Sequence, residues 1–423
     1  MSDTLTPSGL QSSAGLYGQC GVYQFDRNGA IFNPLDLNPY LLFDAESSMI
    51  GTLENPTLDL DPTKQESLDV ITATRAGTAT FVNLDGEIEI AQPNTVRVDN
   101  SLGYPAILVE PSAINLLTAT QEVSSWSSTN VSLTANTTKA PDGSLTGDIV
   151  TRTGGGADVR QTKAVTSGTS YTISIFAKAE TDNEIALDLS DSRMGPDKVE
   201  FNTRTGQKVS GSNNYTITEL ANGWRRYSFS STCISSGNTG VIIRIENDEP
   251  VQLWGFQFEE GSVATSYIPH ISGSPVTRAA DDLVISGSAF DFYNQSEGTF
   301  YVEFLYDHDE TSKYVYSVTE TSSNEVRSQL LTSALRTRYT VNSSNLANLE
   351  NSGILKGSLN RAAFSYKTNN FRANLNGGSD NENLSGTASI NPIKLTIGSR
   401  SATHHLKGQI KRLIYWPVSS ERL

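Results

Sequence analysis

Residues 171–179 read YTISIFAKA. Tyr171, Ile173 and Ile175 recur at every second position, with Thr172 and Ser174 between them. That period of two is the signature of a β-strand with one buried face. RRYSFSSTC (225–233) follows the turn-forming pair Asn222-Gly223, and GVIIRIEN (240–247) comes next. In VQLWGFQFEEG (251–261) the alternation places Trp254, Phe256 and Phe258 on one face. Strands at this spacing, with turn signals between them, predict a sandwich or jelly roll over 119–275.

Working outward, the same texture continues on both sides. Upstream, 46–118 reads as a small β region holding TATFVN (78–83), EIEIA (87–91), TVRVD (95–99) and AILVE (106–110), with Asp85-Gly86 as a hairpin turn. Downstream, ISGSPVTRAADDLVISGS (271–288) is small, polar and Pro-containing, and 276–288 reads as a linker. A second β unit follows over 289–423. There GTFYVEFLYDHD (298–309) puts Phe300, Val302, Phe304 and Tyr306 on one face. RAAFSYKTNNFRANLNGG (361–378) reads as a hairpin turning at Asn369-Asn370, and QIKRLIYWPVS (409–419) alternates Ile410, Arg412, Ile414 and Trp416. Thr74-Arg75-Ala76-Gly77 and Thr277-Arg278-Ala279-Ala280-Asp281 echo each other ahead of strands, which suggests analogous linkers.

Residues 1–45 differ. They are rich in Gly, Pro and Asn, with Tyr17, Tyr23, Phe25, Phe32, Tyr40 and Phe43 interspersed. Such a segment cannot build its own core and reads as an extended arm that orders on a partner. The expected fold class is therefore all-β, with tandem antiparallel β-sandwich domains of jelly-roll type behind that arm.

Composition narrows the function. The 423 residues include 31 Lys+Arg against 46 Asp+Glu, a formal net charge of -15. An acidic surface repels phosphate, so no nucleic-acid partner is expected. An acidic glycan is disfavoured too, unless a local Arg/Lys patch receives it. No stretch is apolar enough to span a bilayer, so no membrane insertion is expected. The first twenty residues lack the basic region and apolar core of a signal peptide, which predicts synthesis in the cytoplasm. Cys20 and Cys233 have no metal-ligand spacing around them and read as free thiols.

A search for chemistry finds little. His270, His308, His404 and His405 lie in no nucleophile or metal motif, and His404-His405 reads as a surface loop. Glycoside hydrolysis needs two carboxylates facing one cleft. Glu246, Asp248, Glu249, Glu259, Glu260 and Glu303 are the candidates, with Glu303 placed on an outward strand face. The default for such groups is a solvated strand face, so no enzyme activity and no catalytic residue are expected. No cofactor is expected either; Asp59/Asp61 and Asp281-Asp282 are the acidic pairs that would contribute oxygens to a structural calcium. Sugars are often bound on an exposed aromatic platform beside amides. Trp126, Trp224, Trp254 and Trp416 sit within strand signals and read as core. Tyr366, Asn369, Asn370 and Phe371 are instead the preferred carbohydrate-binding candidates.

Several of these runs form an ordered series. TRAGTATFVNLDGEIEIAQPNTVRVD (74–99) and GYPAILVEPSAINLL (103–117) lead into GTSYTISIFAKA, ANGWRRYSFS, LWGFQFEEG and ATSYIPHISGSPVTRAADD. Taken together they resemble the fibre and head-spike proteins of tailed bacteriophages. The middle part resembles the carbohydrate-binding-module jelly roll of those proteins. EGTFYVEF, NRAAFSY, LTIGSR and LKGQIKRLIYWPVSSERL resemble a concanavalin-like or laminin-G-like sandwich. The resemblance implies a virion protein that docks on capsid or tail through residues 1–45, assembles as a homotrimer and presents its sandwiches to a host cell-surface glycan. A polysaccharide-degrading spike and a purely structural decoration protein are the alternatives.

Overall fold

The computed structural model describes residues 55–189, 191–195, 197–270, 274–308, 310–421 and 423, with the short strand pair Gln24–Phe25 and Ile31–Phe32. The expected arm and Cys20 lie otherwise outside the described residues. What is described is almost entirely antiparallel β-structure, as the period-two runs require.

The jelly roll has two six-stranded sheets. One runs in the order Ser127–Thr129, Asp158–Val165, Gly237–Ile245, Glu184–Asp188, Lys198–Asn202 and Gln207–Gly211. The other runs Val131–Thr138, Gly147–Arg152, Val251–Glu260, Ser170–Lys178, Arg225–Thr232 and Tyr215–Glu219. Tyr171, Ile173 and Ile175 all enter the core between them, as their alternation predicts.

The second sandwich differs from the expected layout, because its strands come from both ends of the described chain. One sheet closes Asp282–Ser286 between Lys394–Ile397 and Thr72–Thr74. The other places Leu58–Leu60 and Ala106–Val109 on Gly408–Trp416, with Val98–Asp99 at the edge. Phe300, Val302, Phe304 and Tyr306 share its core with Leu58, Leu60, Ile107 and Val109. Residues 46–118 are thus not a separate β region. Residues 276–288 are not a linker: Val276–Arg278 pairs with Ala113–Asn115, and the next strand is paired on both sides within a sheet. The jelly roll is an insertion within the sandwich, and those two paired strands form its neck.

The remaining upstream hairpin, Ala79–Val82 with Ile88–Ala91, turns at Asp85-Gly86 as expected. It lies on the outer face of the jelly roll, where Val82 and Ile88 pack with Phe176, Trp224, Trp254 and Tyr267. Its tip is fixed by the Ala221 amide donating to the Gly86 carbonyl at 2.9 Å.

Two bulges break the expected alternation. The register slips at Gly255, whose φ of 65° favours glycine. Trp254 therefore faces the hairpin, while Phe256 and Phe258 face the jelly-roll core. A second slip, between Arg412 and Ile410 opposite Glu303 and Phe304, turns Leu413 and Tyr415 inward with Ile410. Arg412 points the other way and clamps Asp59 with two bonds of 2.9 and 2.7 Å.

The echoed Thr-Arg segments converge. Arg75, Arg97, Arg278, Glu110 and Asp281 form one buried ion cluster between the neck, the hairpin and the sandwich. Arg97 donates to Glu110 at 2.8 Å and to Asp281, and Arg75 donates to Asp281 at 3.0 Å. Backbone carbonyls of Thr80, Gln92, Thr95 and Pro111 accept further guanidinium protons. Three guanidiniums share two carboxylates here, so removing either carboxylate is far more costly than losing its exposed equivalent.

Candidate functional site

The preferred aromatic candidates are not a surface. Tyr366 and Phe371 are both fully buried in the sandwich core. The Tyr366 hydroxyl meets the Tyr415 hydroxyl at 2.8 Å and donates to the Asn294 carbonyl. The hairpin turns at Thr368-Asn369, one residue earlier than expected. Asn369 is exposed there with φ 58°, and Asn370 is half-buried beside it. Their amides serve the turn and its neighbours, since the Asn369 side chain accepts from Gly386 N and that of Asn370 from Arg372. With both rings inside, no apolar platform remains at this hairpin for a sugar to stack on. The four tryptophans are buried, as their strand context suggests.

The acidic candidates are dispersed. Glu259 is buried and accepts from the Thr265 amide and hydroxyl at 2.8 and 2.7 Å. Glu303 is not a free outward carboxylate. It binds the Tyr301 hydroxyl, Arg361 and Lys411 at 2.8, 3.1 and 2.8 Å. Burial pushes its carboxyl up, but the Lys411 and Arg361 charges outweigh that and hold it below its ordinary value. Asp59 is committed to Arg412, and Asp281 to Arg75 and Arg97. Among the described residues, no three His, Cys, Asp or Glu side chains group to hold a metal ion. His405 is buried rather than in a surface loop, while His404 is exposed.

A different place collects polar groups. A cleft of about 210 Å³ opens where the jelly roll, the hairpin and the sandwich meet. Its floor is the outer face of one jelly-roll sheet. Cross-strand pairing sets Thr216 opposite Ser228, Ser228 opposite Ser174, and Thr218 opposite Arg226. Alternation explains this: Tyr215, Ile217, Tyr227 and Phe229 turn inward, so the intervening hydroxyl residues turn outward. The Thr216 and Ser228 hydroxyls meet at 2.5 Å.

Arg226 anchors the floor. It donates to the Thr265 carbonyl at 2.6 Å and to the Ser174 hydroxyl at 2.9 Å, and its guanidinium lies 5.3 Å from the Phe176 ring centre. Its Nε is buried and has no partner. Burial lowers its pKa, against the opposing pull of Glu259, Glu110 and Asp99.

The sandwich supplies the facing wall with Leu305, Asp307, Lys407 and Gln409. Gln409 donates to Asp99 at 2.8 Å and to Ser101 at 3.2 Å, and its carbonyl oxygen is buried without a partner. Glu110 closes the deep end, accepting from the Ser266 amide and hydroxyl at 2.7 and 2.6 Å. Burial raises the Glu110 pKa, but Arg278 and Arg97 with Ser266 overcome this and hold the carboxyl far below its usual range. A general acid for glycoside cleavage needs the opposite shift. The cleft offers hydrogen-bond donors and acceptors in fixed positions, and Glu110 is not a proton donor of that kind. Sequence reasoning missed these residues because they come from many separate chain segments. The only signal was the polar half of the alternation in Tyr215–Glu219 and Arg225–Thr232.

No protein-family model and no curated protein matches the chain. Among solved structures, it is similar to the tandem CBM22 domains of Paenibacillus barcinonensis Xyn10C, at 9% identity and TM-score 0.25, over 73% of this chain and 99% of that one. It is also similar to domains LG4-5 of the mouse laminin alpha1 chain, at 7% identity and TM-score 0.25, over 60% and 86%. A botulinum neurotoxin type C structure, described as depending on two ganglioside molecules for cell entry, matches at 9% identity and TM-score 0.28. That match takes in 34% of this chain and 37% of the toxin chain. Similarities this low say nothing about function, which has to be read from the residues. No helix among the described residues is long and apolar enough to cross a membrane.

Proposed function

We propose that this chain is a non-catalytic glycan-binding protein whose cleft, between jelly roll and sandwich, receives one sugar unit. The observation that carries the reading is the hydroxyl floor, Thr216, Thr218, Ser228 and Arg226, facing Lys407 and Gln409 across a pocket of about 210 Å³. Sugar hydroxyls are matched by fixed hydroxyl, amide and guanidinium groups of this kind. The volume is below the roughly 300–1,000 Å³ of sites for drug-sized ligands. That favours a chain end or side-branch sugar over a long polymer.

The ordered resemblance to tailed-phage fibre and head-spike proteins supports a place for the chain on a virus particle. In that setting residues 1–45 would be the anchor, a homotrimer the assembly, and a host-surface glycan the ligand. A micrograph of particles carrying labelled protein tests the location, and light scattering tests the trimer. A glycan array tests the binding itself, followed by titration of the best neutral oligosaccharide against Thr218→Val and Ser228→Ala. Binding about threefold to tenfold weaker in both variants is expected, since each loses a floor hydroxyl that bonds the sugar. Blank arrays, or unchanged affinity in both variants, would remove the cleft as the site.

A further inference from the structure

The outer face of the sandwich's seven-stranded sheet carries a second, chemically distinct surface. Pairing across Asn324–Leu330, Ala334–Val341 and Ser344–Ser352 sets Arg327 opposite Arg338 and Arg338 opposite Asn348. The next rung sets Gln329 opposite Arg336 and Arg336 opposite Glu350. Arg400 reaches the same face from its loop, binding Glu325 with two bonds of 2.9 and 2.7 Å. Arg327 shares that carboxylate. Four guanidiniums therefore meet two carboxylates, Glu325 and Glu350, which leaves about two positive charges.

This excess stands out in a chain of net charge -15. Like charges directly opposite each other across a sheet destabilise it. Arg327 and Arg338 are such a pair. Arg338 donates its Nε to Asn348 at 2.7 Å and has no carboxylate partner among the described residues. Arg327 leaves its Nε buried without a partner. Arg336, Arg338 and Arg400 stay partly open to solvent. The repulsion persists, and an anion between the guanidiniums would relieve it.

We propose that this face, centred on Arg336, Arg338 and Arg400, binds a carboxylated sugar. The chain's overall negative charge opposes a densely charged polymer such as nucleic acid. A ligand with one carboxylate per sugar matches two excess charges. Asn345, Asn348 and Thr340, on the same face, supply partners for its hydroxyls. Arginine also holds a carboxylate in paired, directional bonds. This face shares no residue with the cleft.

Calorimetric titration of the full chain at low salt tests it, with sialyllactose and tetragalacturonate as separate carboxylate sources. Lactose and a single-stranded oligonucleotide are the comparisons. At least one acidic sugar should bind, weaken several-fold between 20 and 200 mM salt, and lose about tenfold in affinity in both Arg338→Ser and Arg336→Ser. Arg338→Ser should melt no lower than the parent, because a repulsion has gone, and its response to the cleft's neutral ligand should be unchanged. Failure of both acidic sugars, equal affinity for lactose, tighter binding of the oligonucleotide, or full binding by both variants would each overturn the proposal.

Discussion

Arg75 and Asp281 stand 206 positions apart in the chain and meet in a 3.0 Å ion pair shut away from solvent. Asp281 also holds Arg97 and accepts the Glu110 amide at 2.9 Å, so a single carboxylate ties the hairpin, the neck and the sandwich together. Asp281→Ala should cost about 3–5 kcal/mol, because two buried guanidiniums lose their anion. Urea denaturation measures this. A loss below 1 kcal/mol would mean that Asp281 does not hold the two guanidiniums as described.

Acid should weaken the same cluster. Glu110 is held far below the ordinary carboxylate value by Arg278 and Arg97, against the upward push of burial. A carboxyl depressed in the folded state contributes stability that is complete above its unfolded pKa, about 4.3, and is lost as pH falls towards the folded value. The stability gap between the parent and Glu110→Gln should be constant from pH 7 to 5. Below about pH 4.3 it should narrow by up to about 1.4 kcal/mol per pH unit. A gap that widens in acid would reverse the assignment.

Phe371→Ala should lower stability by about 3–5 kcal/mol, as expected for a buried aromatic. It should leave glycan affinity at the cleft unchanged. Thermal melting and an oligosaccharide titration on the same sample separate the two effects. Lost affinity with intact stability would return this hairpin to the binding surface.

Gly255→Ala should be strained twice. The residue sits at φ 65°, and a Cβ there would stand 2.6 Å from the Phe176 ring. A loss of at least about 1–3 kcal/mol is expected, together with a change in Trp254 fluorescence as that ring shifts against the hairpin. Unchanged emission and stability would argue against the bulge.

A fragment of residues 289–423 should fail to fold. It lacks Leu58–Leu60, Thr72–Thr74, Ala106–Val109 and Asp282–Ser286, and so lacks Leu58, Leu60, Ile107, Val109, Leu283 and Ile285 of the core. Residues 55–423 should give a cooperative melt. Circular dichroism of the two proteins decides between this topology and an autonomous C-terminal unit.

Local alternation made the strands legible. Tyr171, Ile173 and Ile175, like Phe300, Val302, Phe304 and Tyr306, lie where a period of two puts them. Trp254 and Ile414 do not, because a bulge adds one residue and turns all that follow to the opposite face. Pairing between distant strands left no local trace, so the insertion was invisible. Only the repeated Thr-Arg segments hinted at it, and they are partners in one cluster rather than parallel linkers. Tyr366 and Phe371 were misplaced because the Asn-rich turn beside them is exposed while the strands that bear them are not. The cleft was hidden for the related reason that no single segment holds it.

The clamp between Asp59 and Arg412 spans 353 residues. A ribosome adding about 5–20 residues per second needs roughly 20–70 s to make that stretch. Through that interval Leu58–Leu60 has left the tunnel and its partner strand does not yet exist. The jelly roll, complete by residue 260, has time to form first. Its closing neck then brings the waiting upstream strands beside the segment still being made. In a growing chain, the inserted unit would serve as the jig on which its own host is assembled.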